Sequence, residues 1–104
     1  MRILKYELDI IDNQKIKIGN LYALPIAVAE QNGKLVMWTQ TSTPRNSSRE
    51  NEISVDIFGA GHPIEIGLSK PYIGTVLMSN GLVWHVYALW GETEQEVEDN
   101  KINN

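Results

Sequence analysis

The chain has 104 residues, with 13 acidic and nine basic side chains and no cysteine. A chain of this length forms one domain and can bury a core without help from a metal or a disulfide. The lack of cysteine excludes zinc–thiolate sites, thiol nucleophiles and disulfide frameworks. The start has no basic segment followed by an apolar run, and no apolar stretch approaches the ~20 residues of a membrane-spanning helix. We therefore expect no secretory signal and no membrane partner.

The formal net charge of −4 is concentrated at the end of the chain. Residues 92–104 hold five acidic side chains and one basic side chain, whereas residues 1–91 hold eight of each. Sequence-independent binding of DNA or RNA needs a basic stripe, which a neutral body lacks. We predict a single β domain over residues 1–91, an acidic flexible tail over residues 92–104, and no nucleic-acid polymer as partner.

Alternation of apolar and polar residues predicts strands from the start of the chain. Residues 2–10 place four apolar side chains on one face: Leu4, Tyr6, Leu8 and Ile10. Residues 14–18 alternate again after turn-forming residues at Asp12-Asn13. Residues 21–30 are apolar but contain Pro25, which lacks the amide hydrogen that a central strand needs. This segment is therefore an edge strand, or a strand that begins at Ile26.

Turn residues divide the rest of the chain into further strands. Asn32-Gly33 suits a tight hairpin because both positions tolerate positive φ, so residues 34–41 are the partner strand. Residues 41–51 are polar with nothing that can pack, and we expect a long mobile loop. Residues 52–58 alternate cleanly. Residues 72–78 and 82–89 flank Ser79-Asn80-Gly81, which is a second hairpin signal.

These segments amount to about seven short strands joined by tight turns, which predicts an all-β fold: a small antiparallel β-sandwich or a partly open barrel. The strand at residues 82–89 is apolar on both faces. One face carries Leu82, Trp84 and Val86, and the other carries Val83, Tyr87 and Leu89. Because a strand that is apolar on both faces needs cover on both, we expect a homo-oligomer.

Catalytic and metal-binding patterns are weak in this sequence. His62 and His85 are the only histidines. Asp56 or Glu65 could complete a set of metal ligands with them, but the spacing of these residues matches no metal-binding motif. Serines and aspartates for a Ser–His–Asp triad occur without a nucleophile elbow. The stretch Gly59-Ala60-Gly61 lacks the third glycine and the helix of a dinucleotide site, so a sharp turn is the simpler interpretation. We predict no metal, no cofactor and no enzymatic activity.

Binding residues are better represented. Tryptophan and tyrosine side chains stack on flat ligands, and the candidates here are Trp38, Trp84, Trp90, Tyr72 and Tyr87. Arginines in a loop hold phosphates with two parallel hydrogen bonds, and histidines donate hydrogen bonds. The predicted partner is a small anionic, nucleotide-like ligand. The predicted ligand-binding residues are His62, His85, Trp38, Arg45, Arg49, Gly59 and Gly61. For each one alone, an ordinary structural role is the alternative: a core or rim position for Trp38, and solvated loop charges for Arg45 and Arg49.

Several segments of the sequence occur in an order seen elsewhere. These are residues 3–6 (Ile-Leu-Lys-Tyr), 31–38, 58–64 (Phe-Gly-Ala-Gly-His-Pro-Ile), 72–76 and 81–87 (Gly-Leu-Val-Trp-His-Val-Tyr). Their order resembles a family of short bacteriophage and prophage proteins of unknown function, with a Phe-Gly-x-Gly-His-Pro-Ile motif and a C-terminal Val-Trp-His-Val-aromatic strand. The resemblance spans residues 1 to about 88. The segment 41–51 and the residues after Leu89 depart from it.

The resemblance implies a phage origin and a host cytoplasm, and it supplies no catalytic residues. Short phage proteins of this kind are often accessory factors, and this analogy favours a role against host defence. We expect a non-catalytic sponge that sequesters a small nucleotide-derived immune signal, such as a cyclic ADP-ribose isomer or a cyclic oligonucleotide. One alternative is a module that inhibits or recruits a host protein through an exposed strand edge or the acidic tail. Another is a small nucleotide hydrolase that uses His62 and His85.

Overall fold

The computed structural model describes residues 1–44, 49–59, 61 and 70–93. Over these residues the chain forms strands and no helix. The strands are β1 (Arg2–Leu8), β2 (Asn13–Gly19), β3 (Tyr22–Gln31), β4 (Lys34–Ser42), β5 (Asn51–Gly59), β6 (Tyr72–Leu77) and β7 (Val83–Glu92). Sheet A has the order β1-β4-β3, sheet B has the order β2-β5-β7-β6, and all pairs are antiparallel. The expected all-β sandwich is confirmed. The described part contains no helix that is long and apolar enough to cross a membrane.

Both hairpins expected from the sequence are present. Asn32 and Gly33 join β3 to β4 with φ angles of 54° and 79°, the left-handed conformation that this dipeptide adopts readily. Gly81 has a φ of 92° in the turn between β6 and β7, where the Met78 amide donates to the Leu82 carbonyl at 2.8 Å. These local turns set the register of the strands that follow them.

The prediction that residues 21–30 form an edge strand is also confirmed. β3 lies at the edge of sheet A, and its pairing with β4 shifts register between Pro25 and Ala27. At an edge, a residue without an amide hydrogen leaves no ladder hydrogen bond unmade. Proline is therefore accommodated here without loss of the sheet.

The core fills the space between the inner faces of the two sheets. Every one of its central side chains is at most 4% exposed: Leu8, Leu35, Met37, Ile53, Val55, Ile57 and Val86. Burial of each such side chain stabilises the fold by roughly 1.5–3 kcal/mol relative to exposure. The predicted inward face of residues 52–58 is confirmed by this set, and Trp84 packs against the same core. Burial also raises the pKa of Tyr6 above its ordinary value of 10.0.

Two expectations about burial are wrong. The alternation of residues 2–10 places Ile10 on the inner face with Leu8, but β1 ends at Leu8 and Ile10 is 44% exposed, because the chain leaves sheet A there to enter sheet B. The polar composition of residues 41–51 predicts that nothing in this segment packs. Thr41 is buried at the end of β4, and Asn51 is buried at the start of β5, where its side-chain amide donates to the Leu21 carbonyl at 2.9 Å.

The two sheets approach most closely where β3 faces β6. A Cβ added to Gly74 of β6 would lie 2.9 Å from a methyl group of Val28 in β3, so only glycine fits without a shift. Nearby, the Glu30 carboxylate accepts hydrogen bonds from the backbone amide and the hydroxyl of Ser79, each at 2.8 Å. This side of the sandwich is therefore held by a close backbone contact and a charge-assisted clamp.

Gly74→Ala tests the close contact. We expect it to lower the free energy of unfolding by about 1–3 kcal/mol, because the new methyl group overpacks the interface with Val28. Urea denaturation measures the change. In a Val28→Ala background the same substitution should cost much less. Gly91→Ala is the matched control, since no heavy atom lies within 4 Å of the place that its new methyl group would take, and it should be close to neutral. Equal losses at the two glycines would contradict the assignment.

The raised pKa of Tyr6 predicts a pH dependence. In the unfolded chain the Tyr6 side chain ionises near pH 10, the ordinary tyrosine pKa. In the folded chain its pKa is higher, so the side chain stays protonated to higher pH. The contribution of Tyr6 to stability is thus fully present below that pH and is lost as pH rises through the raised folded pKa. Thermal melts above pH 10 should fall less steeply for Tyr6→Phe than for the wild type. Identical slopes would contradict this role of Tyr6.

Candidate functional site

His85, the described histidine, lies on the outer face of sheet B. Its neighbours Trp84 and Val86 on β7 point toward the core, so alternation turns His85 away from sheet A. In the register of the sheet, His85 stands between Phe58 on β5 and Thr75 on β6. It is half-buried in this row and is reachable from solvent.

A chain of hydroxyl groups orients the His85 ring. Thr75 Oγ1 lies 2.9 Å from His85 Nδ1, and the Tyr72 hydroxyl is hydrogen-bonded to the same Thr75 oxygen. When Tyr72 donates to Thr75 and Thr75 donates to Nδ1, the other ring nitrogen, Nε2, carries the proton and is a donor. The arrangement is suited to holding an acceptor group of a ligand.

Aromatic rings surround this histidine. Tyr87 contacts Phe58 and Tyr72 edge to face, with ring centroids 5.8 and 5.4 Å apart. Asp56 on the same face accepts hydrogen bonds from Lys70 at 2.8 Å and from Asn13 at 2.6 Å, so both of its oxygens are engaged. We call the surface formed by His85, Thr75, Tyr72, Tyr87 and Phe58 the His85 face.

The other described residues of the predicted set do not join this face. Trp38 lies on the outer face of sheet A, so both sheets separate it from His85. Arg49 precedes β5 and pairs with Glu92 at 2.7 Å, whereas Gly59 ends β5, about 26 Å from the first residue of that strand. A site that contained all of them would need more than one copy of the chain.

The glycines of the predicted set have separate structural roles. The position of a Cβ on Gly59 would be 3.2 Å from the ring of Trp84, its partner across β5 and β7, so the missing side chain makes room for the indole. Gly61 has a φ of 80°, which suits the predicted turn. His62 and Arg45 lie outside the described residues.

An open groove is present at the end of the sandwich where β3 and β5 begin and β4 and β7 end. Its volume is about 370 Å³ and its lining is mainly apolar. Six of the residues that line it are Tyr22, Leu24, Gln40, Thr41, Ser42 and Trp90. We call it the Trp90 groove. Its size falls within the range of small-molecule binding sites.

Two aromatic rings form a corner in the Trp90 groove. The rings of Tyr22 and Trp90 lie 5.3 Å apart between centroids, and their planes meet at 86°. The indole N–H of Trp90 donates to the Leu21 carbonyl at 3.0 Å, and the amide of Asn51 donates to the same carbonyl. The first bond holds the indole against the start of β3, and the second ties the start of β5 to the same carbonyl. A flat ligand laid parallel to one ring would therefore be perpendicular to the other.

The polar groups of the Trp90 groove differ in their availability. The Thr41 hydroxyl donates to the Arg2 carbonyl at 3.1 Å and is satisfied within the protein. The Gln40 amide nitrogen lies 2.9 Å from the sulfur of Met1, which is a weak acceptor. Within the described ranges, the Gln40 carbonyl oxygen and the Ser42 hydroxyl make no side-chain hydrogen bond. They can pair with donors and acceptors of a ligand that occupies the groove.

None of the predicted ligand-binding residues that the structure describes lines this groove, and the wider list of stacking candidates contains one residue that does. Trp90 is among the tryptophans expected to stack, and Trp38 is two residues from Gln40 on the same face of β4, about 7 Å along the strand. Tyr22, Gln40 and Ser42 carry no such signal, because they come together only through the register of β3 with β4. No periodicity marks residues that meet at the end of a sandwich.

Other expectations about the site are not tested. No group of three or more potential metal-ligating side chains occurs among the residues that the structure describes. The inner face of β7 is covered by sheet A, but on its outer face Leu89 is 45% exposed, so a second subunit as its cover stays a prediction. Most of the acidic tail, residues 94–104, lies outside the described ranges.

Comparison with known proteins gives a family without a function. No curated protein and no solved structure matches the chain. The model of one family, described as a domain of unknown function (DUF7352), matches residues 1–97 and thus spans all seven strands. The chain belongs to the DUF7352 family.

Proposed function

We propose that this protein is a non-catalytic binding protein that holds a small nucleotide-like ligand in the Trp90 groove. In the biological setting that we propose, it is a phage accessory protein that sequesters a nucleotide-derived immune signal in the host cytoplasm. The observation that carries the proposal is the perpendicular corner of Tyr22 and Trp90 in a groove of about 370 Å³.

Stacking supports a ligand with a flat ring. Tyr22 is 47% exposed, so its ring is available to a partner without rearrangement of the core. Stacking of a base on an aromatic side chain contributes roughly 1–3 kcal/mol, and it tolerates different bases. One wall for stacking and a second ring at right angles would fix both the position and the tilt of a nucleobase.

Hydrogen bonding supports selection among flat ligands. The Gln40 carbonyl oxygen is an acceptor, and the Ser42 hydroxyl is both a donor and an acceptor. Both groups line the same groove as the rings. They could pair with the edge of a base that is stacked in the corner, which gives specificity in an otherwise apolar site.

Charge gives weaker but consistent support. Arg49 lies at the same end of the sandwich as the groove, because β5 begins where β4 ends. Its side chain is two-thirds exposed, and its pairing with Glu92 at 2.7 Å is a surface ion pair. Such pairs contribute little to stability, so a phosphate could compete for the guanidinium at small cost.

The surroundings of the groove favour binding over turnover. The Trp90 indole and the Thr41 hydroxyl are engaged by backbone carbonyls, and His85 lies on the outer face of the other sheet. Among the residues that the structure describes, a ligand in the groove would therefore meet aromatic rings, the Gln40 amide and the Ser42 hydroxyl, with no imidazole beside that hydroxyl. Nucleophilic catalysis needs such a pair within hydrogen-bond reach.

Calorimetric titration with cyclic ADP-ribose isomers and cyclic dinucleotides tests the binding. At least one member of this panel should bind, and Tyr22→Ala should weaken that binding by about tenfold or more, because one stacking wall is lost. Tyr72→Ala is the matched control. It removes a comparably exposed tyrosine from the His85 face, on the outer side of sheet B, and it should leave affinity unchanged.

The panel has two results that would overturn the proposal. Silence across all ligands would reject the nucleotide-like ligand class. A loss of affinity in Tyr72→Ala but not in Tyr22→Ala would move the site to the His85 face. Circular dichroism of both variants establishes that each retains its strands.

Incubation of the protein with the same panel, followed by chromatography, tests the absence of turnover. We expect every ligand to be recovered intact. A product that forms with the wild type and disappears in a folded His85→Ala variant would instead support a hydrolase that uses the Thr75–His85 pair, whose oxygen and nitrogen are 2.9 Å apart.

A further inference from the structure

Over the described residues, the two sheets have four edge strands, and the pairing of three of them is interrupted. An edge strand exposes unpaired N–H and C=O groups, and proteins commonly prevent further pairing there with bulges or prolines. Register shifts occur in the pairing of β2, β3 and β6 with their inner neighbours. In order, these shifts lie between Lys17 and Gly19, between Pro25 and Ala27, and between Tyr72 and Gly74.

β1 is the uninterrupted edge. Its seven residues pair with β4 in one continuous register, from Arg2 opposite Thr41 to Leu8 opposite Leu35. It contains no proline and no residue with positive φ. Among the described residues, no strand pairs with its other side. β1 therefore presents a regular template to which another strand can add.

We propose that β1 pairs with β1 of a second copy of this chain, antiparallel, so that two copies of sheet A join into one six-stranded sheet. This inference is independent of the proposed ligand. It assigns to a second copy an edge of sheet A, which is a different surface from the outer face of β7 that the apolar pattern predicts to be covered.

The charges of β1 select one register for this pairing. With the two-fold axis at Tyr6, Lys5 stands opposite Glu7 of the partner subunit on the outer face, and by symmetry this pair occurs twice. On the inner face, Leu4 stands opposite Leu8 of the partner subunit. Opposite charges directly across an antiparallel pair are favourable, and apolar pairs extend the inner face.

The neighbouring registers that keep each residue on its own face are less favourable. An axis at Lys5 would place two lysines directly opposite each other, which is destabilising. An axis at Leu4 would place Lys5 opposite Ile3 and leave its charge unpaired. The present hydrogen bond from Lys5 to Gln31 and the ion pair of Glu7 with Lys34 at 3.1 Å are exposed, so they offer little resistance to a new partner.

The size of the contact predicts a weak dimer. About five residues of each β1 overlap in this register, which gives a few backbone hydrogen bonds and two ion pairs, less than a permanent interface contains. The Trp90 groove extends from Tyr22 on β3 across the end of β4 to Met1, and Met1 lies outside the overlap of residues 4–8, so the groove stays open in the dimer. Both grooves would then lie on the same side of the joined sheet.

Charge exchange tests the register. The wild type should shift with concentration from 11.7 kDa toward twice that mass in light scattering and native mass spectrometry. Lys5→Glu puts two acidic side chains opposite each other, and Glu7→Lys puts two basic ones there, so each variant alone should dimerise roughly tenfold more weakly. An equimolar mixture of the two variants should recover dimers of mixed composition, because unlike charges face each other again.

Lys34→Glu is the matched control. It makes the same change of charge and removes the ion pair with Glu7, but it lies on the central strand β4 and should leave dimerisation unchanged. A wild type that stays monomeric at every concentration would overturn the proposal. Dimers of equal strength in all variants would also overturn it, and would point instead to the outer face of β7. Recovery in the mixture separates an edge effect from misfolding, since misfolded variants would not regain partners.

Discussion

The fold depends on burial of alternate side chains between two sheets. Each strand turns every second residue toward one shared interior, and the most deeply buried of these are aliphatic, such as Met37, Val55 and Val86. Since the hydrophobic effect scales with the apolar area removed from water, this interior supplies most of the stability of a small domain without cysteine. The same alternation sends Trp38 and His85 outward on opposite sides, so the packing that makes the domain also separates its candidate binding residues.

The ends of the sandwich are where irregular contacts build a site. At one end, the Leu21 carbonyl accepts hydrogen bonds from Asn51 and Trp90 and thereby ties the start of β3 to strands of sheet B. That tie holds the indole beside Tyr22, outside the regular ladder of either sheet. At the other end, the Glu30 clamp on Ser79 closes the approach of β3 to β6. The groove lies at the first end, where Tyr22 and Trp90 line it.

The edges of the sheets differ in a way that bears on assembly. Register shifts interrupt the pairing of β2, β3 and β6, whereas β1 pairs regularly over its whole length. One regular edge among three interrupted ones is the expected place for a further strand to pair. The spacing of Lys5 and Glu7 on that edge suits pairing with β1 of a second copy, as proposed above. The proposed ligand site involves β3, the end of β4 and Met1, whereas the proposed pairing involves residues 4–8 of β1, so the two properties can vary independently.

Much of the architecture was predictable because it rests on local rules. Asn32-Gly33 and the turn around Gly81 specify hairpins through positive φ, Pro25 marks an edge strand, and the alternation of residues 52–58 assigns its buried face. Local rules failed where the chain changes sheets, as at Ile10, and where a polar residue is buried by a distant partner, as at Asn51.

The candidate site shows the same division. The sequence by itself determined the seven strands, the turns and a neutral body rich in possible stacking residues, since each of these follows from neighbours in the chain. Only the tertiary structure decided that Tyr22 meets Trp90, that Trp38 and His85 face opposite directions, and that β1 is an open edge. The reason is that these contacts depend on which strands pair and in which register. Neither can be deduced from the residue type at a single position.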